Sequence, residues 1–352
     1  MSKKLLRAST ALAASAALYQ ANLARLEAEQ FEPSAPSGNF VPGVIYLANA
    51  SQFSESFYQQ HLTDYSVGWR DPNDIEATRR AIAPEVEVPH MFEYDEYMNA
   101  EEFLSEDDDE RQMGGNFKQV QPYKSVKRLG KLANRGLCIL VDLDTVKGQP
   151  MWREKKVAKL LRRIARNRLK RGINLLSAAA VNTAKTWDTT AGKDPDMDVA
   201  NELVTATTAS GLGFNRTLYG HTAWAKRWTS FRAQNNAGGY ASAGLTPEQL
   251  AALLNLDRVI VSKERYQSGA AAKTEIVSNK VIMYFAQDGV DQEDATNIKC
   301  FVGRPDGEGG AARGYYKVYE QQVSAKLVLL TVEYYELQKI TSTLGIRQFT
   351  VS

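Results

Sequence analysis

Two oppositely charged segments hold the residues of this sequence that are best suited to act on another molecule. Residues 85–110 contain twelve aspartates and glutamates and no lysine or arginine, whereas residues 118–171 contain seventeen lysines and arginines and three acids. Clustered carboxylates can bind a metal ion, and a row of cations can bind phosphate groups. The two segments can also bind each other across an interface between proteins, where complementary charge favours one docking register.

Neither segment has the spacing of a metal, phosphate or catalytic site. The acidic residues lack the ligand spacing of a calcium-binding loop, and the three histidines and two cysteines are widely separated along the chain. The glycine-rich stretch 303–310 lacks the ending of a phosphate-binding loop. His221 follows a predicted strand, but no nucleophile can be argued around it. We therefore predict no enzyme activity, no cofactor and no bound metal.

The acidic residues are predicted to lie on a long hairpin that spans residues 85–135. Apolar residues such as Val86, Phe92 and Val120 suggest an outgoing and a returning strand, and the polar stretch between them contains the flexible pair Gly114 and Gly115. A two-stranded hairpin is at best marginally stable alone. We therefore expect a neighbouring molecule to cover it, and we expect it to add little to its own subunit's core.

The basic residues are predicted to lie on a long helix that spans residues 152–186. One face carries an apolar stripe at steps of three and four, made of Leu161, Ile164, Ala165, Leu169, Gly172, Ile173 and Leu176. A second stripe is basic. About 35 residues at 1.5 Å each would give a rod roughly 50 Å long. The residues predicted to make contacts between subunits are Glu101, Glu102, Asp107, Asp108, Asp109 and Glu110 of the hairpin and Lys155, Lys159, Arg162, Arg166 and Lys170 of the helix.

Two other interpretations of the charged segments stay open at this stage. Both can simply be solvated faces, as most charge runs are. The basic helix can also contact DNA phosphates, which requires nothing beyond a line of cations. Against a dedicated DNA-binding protein stand a net charge of only +2 and the absence of a recognised DNA-reading motif.

The residues that precede the acidic segment have sequence patterns of their own. Residues 8–29 have the periodicity of an amphipathic helix, and a proline- and glycine-rich connector follows at 32–43. A helix is predicted to begin at Asp71 and Pro72. Lys3, Lys4 and Arg7 precede an alanine-rich stretch that is too polar for a secretory signal. No apolar run is long enough for a membrane span, so no membrane partner is expected.

The second half of the chain has the pattern of an α/β domain. Strands are predicted at 216–219, 258–262 and 280–285, helices at 221–232 and from Thr246, a loop at 235–244, and a long strand or strand pair at 322–335 followed by a short tail. Thr246, Pro247 and Gln249 have the arrangement of a capping box with proline in the first turn. Cys138 and Cys300 lie in apolar runs, which predicts two buried, reduced thiols.

This order of parts resembles the major capsid protein of tailed bacteriophages with the Hong Kong 97-type shell fold. The stretches Leu-Tyr-Gly-His-Thr-Ala-Trp at 218–224, Leu-Thr-Pro-Glu-Gln-Leu-Ala-Ala-Leu-Leu at 245–254 and Arg-Val-Ile-Val at 258–261 are similar to its axial domain. The resemblance implies an α+β fold with an N-terminal arm (1–84), an extended hairpin loop (85–135), a peripheral domain with a long spine helix (136–213 and 318–352) and an axial domain (214–317).

The same resemblance implies a structural role and a set of partners. The chain would form hexamers and pentamers of an icosahedral shell around double-stranded DNA. Assembly would occur in the host cytoplasm around a separate scaffolding protein, with portal and decoration proteins as further partners and the virion as destination. Some family members weld subunits through a hairpin lysine. No lysine lies between Glu85 and Phe117, so we expect no such cross-link.

Three alternatives remain on sequence grounds. An encapsulin-type nanocompartment shell has the same fold and would carry protein cargo and no genome. A basic-helix nucleic-acid-binding protein and an enzyme with an unrecognised site belong to other classes. Microscopy of the expressed chain separates these possibilities, because they give different particles.

Overall fold

The structure is a computed structural model that describes residues 55–97, 110, 126–190, 192–269, 271–289, 296–303 and 316–352. The described residues belong to one compact unit, Ser51–Ser352, and the unit Met1–Ala50 lies outside them. The helix predicted at 8–29 and the connector at 32–43 therefore lie outside the described residues. The same holds for most of the predicted hairpin between its two ends and for the glycine-rich residues 304–315.

Eight α-helices occur in the described part of the chain. They are α1 (Gln60–Gly68), α2 (Ile75–Ile82), α3 (Leu143–Val146), α4 (Trp152–Ala179), α5 (Pro195–Ser210), α6 (His221–Ala233), α7 (Ala237–Ala243) and α8 (Pro247–Leu253), and a 3-10 helix spans Glu55–Phe57. The predicted spine helix is α4, which is 28 residues long.

The described strands form two five-stranded sheets and two hairpins. The strands are β1 (Glu85–Glu87), β2 (Met91–Glu96), β3 (Val126–Lys131), β4 (Ala133–Asp142), β5 (Val181–Lys185), β6 (Arg216–Gly220), β7 (Arg258–Ser262), β8 (Arg265–Gln267), β9 (Lys273–Glu275), β10 (Lys280–Tyr284), β11 (Ile298–Gly303), β12 (Lys317–Gln322), β13 (Leu327–Ile340) and β14 (Arg347–Val351).

The long strand β13 organises the first sheet. It pairs antiparallel with β4, β11 and β12, and β1 pairs parallel with β11. The second sheet has the order β5-β14-β10-β6-β7. The separate hairpins are β2-β3 and β8-β9. The outgoing strand predicted around Val86–Phe92 is split between β1, which belongs to the first sheet, and β2. The returning strand was predicted around Phe117–Val126; only Val126 of that range is described, and it begins β3, which pairs antiparallel with β2.

Helix α4 lies against both sheets and links their cores. Its N-terminal half buries Leu161 and Ile164 against β13 residues such as Leu330, and its C-terminal half packs Leu176 with Ile282 of the second sheet. All seven residues of the predicted apolar stripe are buried. The helix ends at Ala179, earlier than predicted, because Ala180 is extended and the chain continues into β5.

Several local predictions in the second half are confirmed. Strands β6, β7 and β10 and helix α6 lie within a residue or so of their predicted ranges. The capping box is present: the Thr246 hydroxyl accepts from the N–H of Gln249 at 3.3 Å, and the Thr246 N–H donates to the Gln249 side chain at 2.9 Å. The sequence signals of these elements are local and strong, and the tertiary structure agrees with them.

Other local predictions are wrong. The loop predicted at 235–244 contains helix α7, which is capped at its start because the Gly239 N–H donates to the side-chain Oδ1 of Asn236 at 2.6 Å. The predicted tail contains β14, which lies between β5 and β10. The helix predicted from Asp71 begins at Ile75, because the Asp71 carboxylate accepts the N–H of Asn73 at 3.1 Å in a turn that precedes the helix.

The two cysteines also differ from the prediction of two buried thiols. Cys300 on β11 is fully buried, but Cys138 on β4 is exposed. Strand β4 alternates between half-buried and exposed side chains, and Cys138 lies on the exposed face with Leu140. An apolar run of this length does not separate a buried strand from an edge strand.

The domain boundaries at 213/214 and 317/318 stay a prediction. The second sheet combines β6, β7 and β10 from the predicted axial segment with β5 and β14 from the segments assigned to the peripheral domain. The predicted boundaries therefore divide the strands of a single sheet between two domains.

Candidate subunit-interface surface

The basic stripe lies on the solvent side of α4, opposite the buried stripe. Lys155, Lys159 and Arg162 are exposed, and Arg166 and Lys170 are partly buried. At 1.5 Å per residue, the 28-residue helix is about 42 Å long. The five predicted cations are therefore spread along about half of a rigid element.

Three of the five predicted cations have partners within the same chain. The Arg162 Nε lies 2.8 Å from an Asp71 carboxylate oxygen, and the Arg166 Nε lies 3.2 Å from a Glu264 oxygen. The Lys170 ammonium lies 3.5 Å from the centre of the Tyr266 ring. These contacts tie α4 to the turn before α2 and to the β8-β9 hairpin. Their role between subunits, if any, is additional to this intramolecular one.

Four cations near the start of α4 form the part of this surface that is open to a partner. Among the described residues no acid forms an ion pair with Lys155, Lys156, Lys159 or Arg163, which we call the free basic stripe. The residues are one turn apart or adjacent, so their charges lie on one side of two helical turns. Lys156 and Arg163 are functional candidates that the sequence prediction left out.

Of the predicted acidic contacts only Glu110 is described, and it is exposed. Glu101, Glu102, Asp107, Asp108 and Asp109 lie outside the described residues. The pairing of hairpin acids with helix cations therefore stays a prediction.

The root of the hairpin packs firmly on its own subunit. The Phe92 ring lies 4.5 Å from the Phe301 ring, centre to centre, and covers Gly130 on the opposite strand. Phe92, Tyr94, Leu132 and Phe301 are all buried in one cluster. The expectation that residues 85–135 add little to their own core is thus wrong for the root. The outer face of the root carries Met91 and Leu129, which are 67% and 80% exposed.

Beneath the basic surface lies a buried ionic cluster centred on Arg168. Arg168 is 2% exposed and contacts Glu336 of β13, Glu85 of β1 at 3.2 Å and Glu76 of α2 at 3.3 Å. It also donates to the Tyr316 hydroxyl at 2.9 Å. The cluster therefore joins the spine helix to the helix and the strand that precede the hairpin.

Two further arginines complete the charge balance of the cluster. Arg171 donates to Glu336 at 2.8 Å, and Arg79 contacts Glu76 at 2.7 Å and also Glu85. Three arginines thus face three glutamates in the same buried region. Such a network keeps every charge compensated, which a buried ion requires.

The cluster sets the protonation of its acids. Burial alone would raise the pKa of Glu336, but Arg168 and Arg171 lower it below its ordinary value. The pKa of Glu76 is likewise lowered by Arg79 and Arg168 against the effect of burial. Burial raises the pKa of the neighbouring Cys300 thiol to about 12, so this thiol is a poor nucleophile.

Arg168 is a residue that sequence reasoning missed although a signal was present. It lies three residues after Ala165 and four before Gly172, within the stripe that the structure buries. A charged residue at a buried helical position is expected to have a buried partner of opposite charge. The sequence prediction included Arg168 only in the count of seventeen lysines and arginines and assigned it to neither stripe.

The remaining candidate sites carry little chemistry. His221 is the first residue of α6, and its Nδ1 lies 3.7 Å from Glu275, whose carboxylate also accepts from the Thr222 hydroxyl at 2.9 Å. Both contacts are made by the first two residues of α6, so they tie the start of this helix to β9. No group of metal-ligating side chains occurs in the part of the chain that the structure describes. Within those same ranges, no helix is long and apolar enough to cross a membrane.

Comparison with solved structures identifies the fold. A phage-related protein from Bordetella bronchiseptica RB50 matches with a TM-score of 0.61 at 14% identity, over 83% of this chain and 96% of that one. The capsid of cyanophage P-SCSP1u matches with a TM-score of 0.46 at 8% identity, over 77% and 86% of the two chains. The mature capsid of bacteriophage PhiM1 matches with a TM-score of 0.44 at 12% identity, over 78% and 86%. No protein-family model and no curated protein sequence matches the chain.

The chain has an α+β fold of the Hong Kong 97 type, as the sequence predicts. The Bordetella protein carries this assignment, because its match extends over most of both chains at the highest of these TM-scores. At 14% identity the likeness extends to the fold alone.

Proposed function

We propose that this chain is the major capsid protein of a tailed bacteriophage, a structural subunit and not an enzyme. The observation that carries the proposal is the fold shared with a phage-related protein over nearly that protein's whole length. The spine helix, the projecting hairpin root and the two sheets agree with the parts expected of a shell subunit. Hexamers and pentamers of the chain would enclose double-stranded DNA within the virion, after assembly in the host cytoplasm on a separate scaffolding protein. Portal and decoration proteins would be further partners.

Electron microscopy of the chain expressed with its neighbouring genes tests this proposal. We expect icosahedral shells, and DNA within them when the packaging genes are present. Small shells that hold protein and no nucleic acid would assign the chain to encapsulin-type compartments. Soluble oligomers that bind DNA without forming shells would contradict the proposal.

We further propose that the free basic stripe is the part of α4 that meets the acidic hairpin of a neighbouring subunit. The supporting observation is that Arg162 and Arg166 already have acidic partners in their own chain, whereas Lys155 and Lys159 have none among the described residues. One exposed ion pair contributes only about 0–1 kcal/mol. Several pairs repeated by symmetry would instead select one docking register.

A charge reversal tests this assignment without disturbing the intramolecular pairs. Lys155→Glu with Lys159→Glu should block shell assembly, and Asp107→Lys, Asp108→Lys and Asp109→Lys in the same chain should partly restore it. Lys147→Glu with Lys263→Glu makes the same change in charge at two exposed lysines outside α4, and these shells should form normally. If the first variant forms intact empty shells and loses only its genome, the stripe binds DNA and this assignment is wrong.

A further inference from the structure

Strand β4 presents a long free edge. It spans Ala133–Asp142 and pairs on one side with β13 over its whole length, and no second strand pairs with it among the described residues. An edge strand leaves a row of backbone N–H and C=O groups without ladder partners. Ten residues make this a long edge, since most strands have five or six.

The middle of the edge lacks the features that usually prevent pairing with another chain, and the charged residues of β4, Arg135 and Asp142, lie toward its two ends. Its centre is the uninterrupted apolar run Leu137-Cys138-Ile139-Leu140-Val141, and it contains neither lysine nor proline. Leu140 is 53% exposed, Cys138 is exposed, and Leu137 and Ile139 are half-buried. Charged or proline residues, or a covering element, protect most natural edges of this length. An unprotected apolar edge is therefore expected to be covered in the assembled state.

We propose that β4 pairs antiparallel with β4 of a second copy, about a two-fold axis that passes through Cys138. A strand edge is complemented by another strand edge, and an isologous contact needs only the one surface. In an antiparallel pair, residues directly opposite each other lie on the same face. If the axis passed between two neighbouring residues, each exposed side chain of one copy would lie opposite a helix-facing side chain of the other. The axis must therefore pass through a residue position.

The side chains of β4 favour the axis at Cys138 over its neighbours. This register places Leu140 opposite Gly136, which leaves room for the leucine, and Asn134 opposite Asp142, where the amide can donate to the carboxylate. It places no like charges opposite each other. An axis at Leu137 or Ile139 would instead set Asp142 opposite Leu132 or Gly136 and would lose the pairing with Asn134.

The axis at Cys138 makes the contact directly testable. Opposing side chains of an antiparallel pair have Cβ atoms about 4.5–5.5 Å apart. Two Cys138 thiols at that separation can be trapped by copper phenanthroline, in which oxygen accepts the two electrons and two protons released as the disulfide forms. The proposal goes beyond the proposed shell function, and it fails separately: microscopy shows whether shells form, and the gel shows whether β4 edges meet.

The first experiment treats assembled particles with copper phenanthroline, quenches them by alkylation and runs them denatured on a non-reducing gel. We expect most of the chain to migrate as a dimer that reductant converts to monomer. Cys138→Ser should abolish the dimer, and Cys300→Ser should not, because Cys300 is fully buried. In a Cys138→Ser background, Asn134→Cys with Asp142→Cys should restore cross-linking, whereas either substitution alone should not. Intact shells that give no Cys138-dependent dimer would overturn the proposal.

A second experiment uses charge and does not depend on oxidation. Cys138→Lys and Cys138→Glu each place like charges opposite each other on the axis, so each variant alone should lose most of its particle yield. Coexpression of the two should recover yield, because mixed pairs are attractive. Both soluble chains should keep the wild-type circular dichroism spectrum, since the side chain is exposed in the single subunit. Wild-type particle yield from each variant alone would also contradict the proposed pairing.

Discussion

Removal of the Arg168 side chain is the sharpest test of the buried ionic cluster. In Arg168→Met, the Glu336 carboxylate would keep its contact with Arg171 at 2.8 Å. It would lose its contact with the Arg168 guanidinium, which is the more buried of its two partners. Breaking a buried pair on one side costs about 3–5 kcal/mol, because the remaining charge stays buried without compensation. We expect a loss of this size in the free energy of unfolding.

The measurement is urea unfolding of the unassembled chain, followed by circular dichroism. Lys326→Met is the matched control: it breaks the ion pair with Asp144 at 2.6 Å, but those side chains are 69% and 59% exposed. An exposed pair of this kind contributes about 0–1 kcal/mol. If Arg168→Met costs no more than Lys326→Met, the cluster does not hold α4 to the first sheet.

The pH dependence of this difference gives an independent check. The pKa values of Glu76 and Glu336 are lowered in the folded state, so their stabilisation is present above the unfolded value of about 4.3. It is lost as the pH falls through the folded values. The difference between wild type and Arg168→Met should therefore be constant near pH 7 and shrink below about pH 4. A difference that grows on acidification would refute this account.

Three further outcomes are expected. Gly220→Ala should abolish soluble expression or lower the melting temperature strongly, because its Cβ would lie 1.8 Å from the backbone oxygen of Ser278; Gly68→Ala, where no atom lies within 4 Å, should change little. Thr246→Ala should cost about 0.5–2 kcal/mol through loss of the cap, and Thr246→Ser should retain most of it in a thermal melt. Deletion of residues 1–30 should leave the melting temperature of the soluble chain nearly unchanged and reduce particle yield, and a large fall in that temperature would count against the independence of this segment.

The sequence predicted best the elements whose signals are local. The apolar stripe of α4 and the capping box at Thr246 depend on residues three or four positions apart, and both occur as predicted. The fold class followed from the order of such elements along the chain. No comparison of distant segments was needed for any of these conclusions.

The predictions that failed depend on contacts between distant segments. Cys138 is exposed because it lies on the uncovered face of β4, and the same run of apolar residues would occur in a strand that is covered on both faces. The buried role of Arg168 requires Glu85 and Glu336, which are 83 and 168 residues away. The partners of Arg162 and Arg166, Asp71 and Glu264, are similarly remote. Periodicity placed these cations on a helix but could not separate the free ones from the paired ones.

The position of β14 in the second sheet has a consequence for synthesis of the protein. This strand lies between β5 and β10, with Phe349 and Val351 fully buried, yet it is the last strand of its sheet to be translated. Translation proceeds at about 5–20 residues per second, so β5 waits on the order of ten seconds for its neighbour. Until then β5 and β10 each have an open edge. The second sheet therefore lacks an internal strand until Arg347–Val351 have been translated, and a chain truncated before Arg347 cannot complete it.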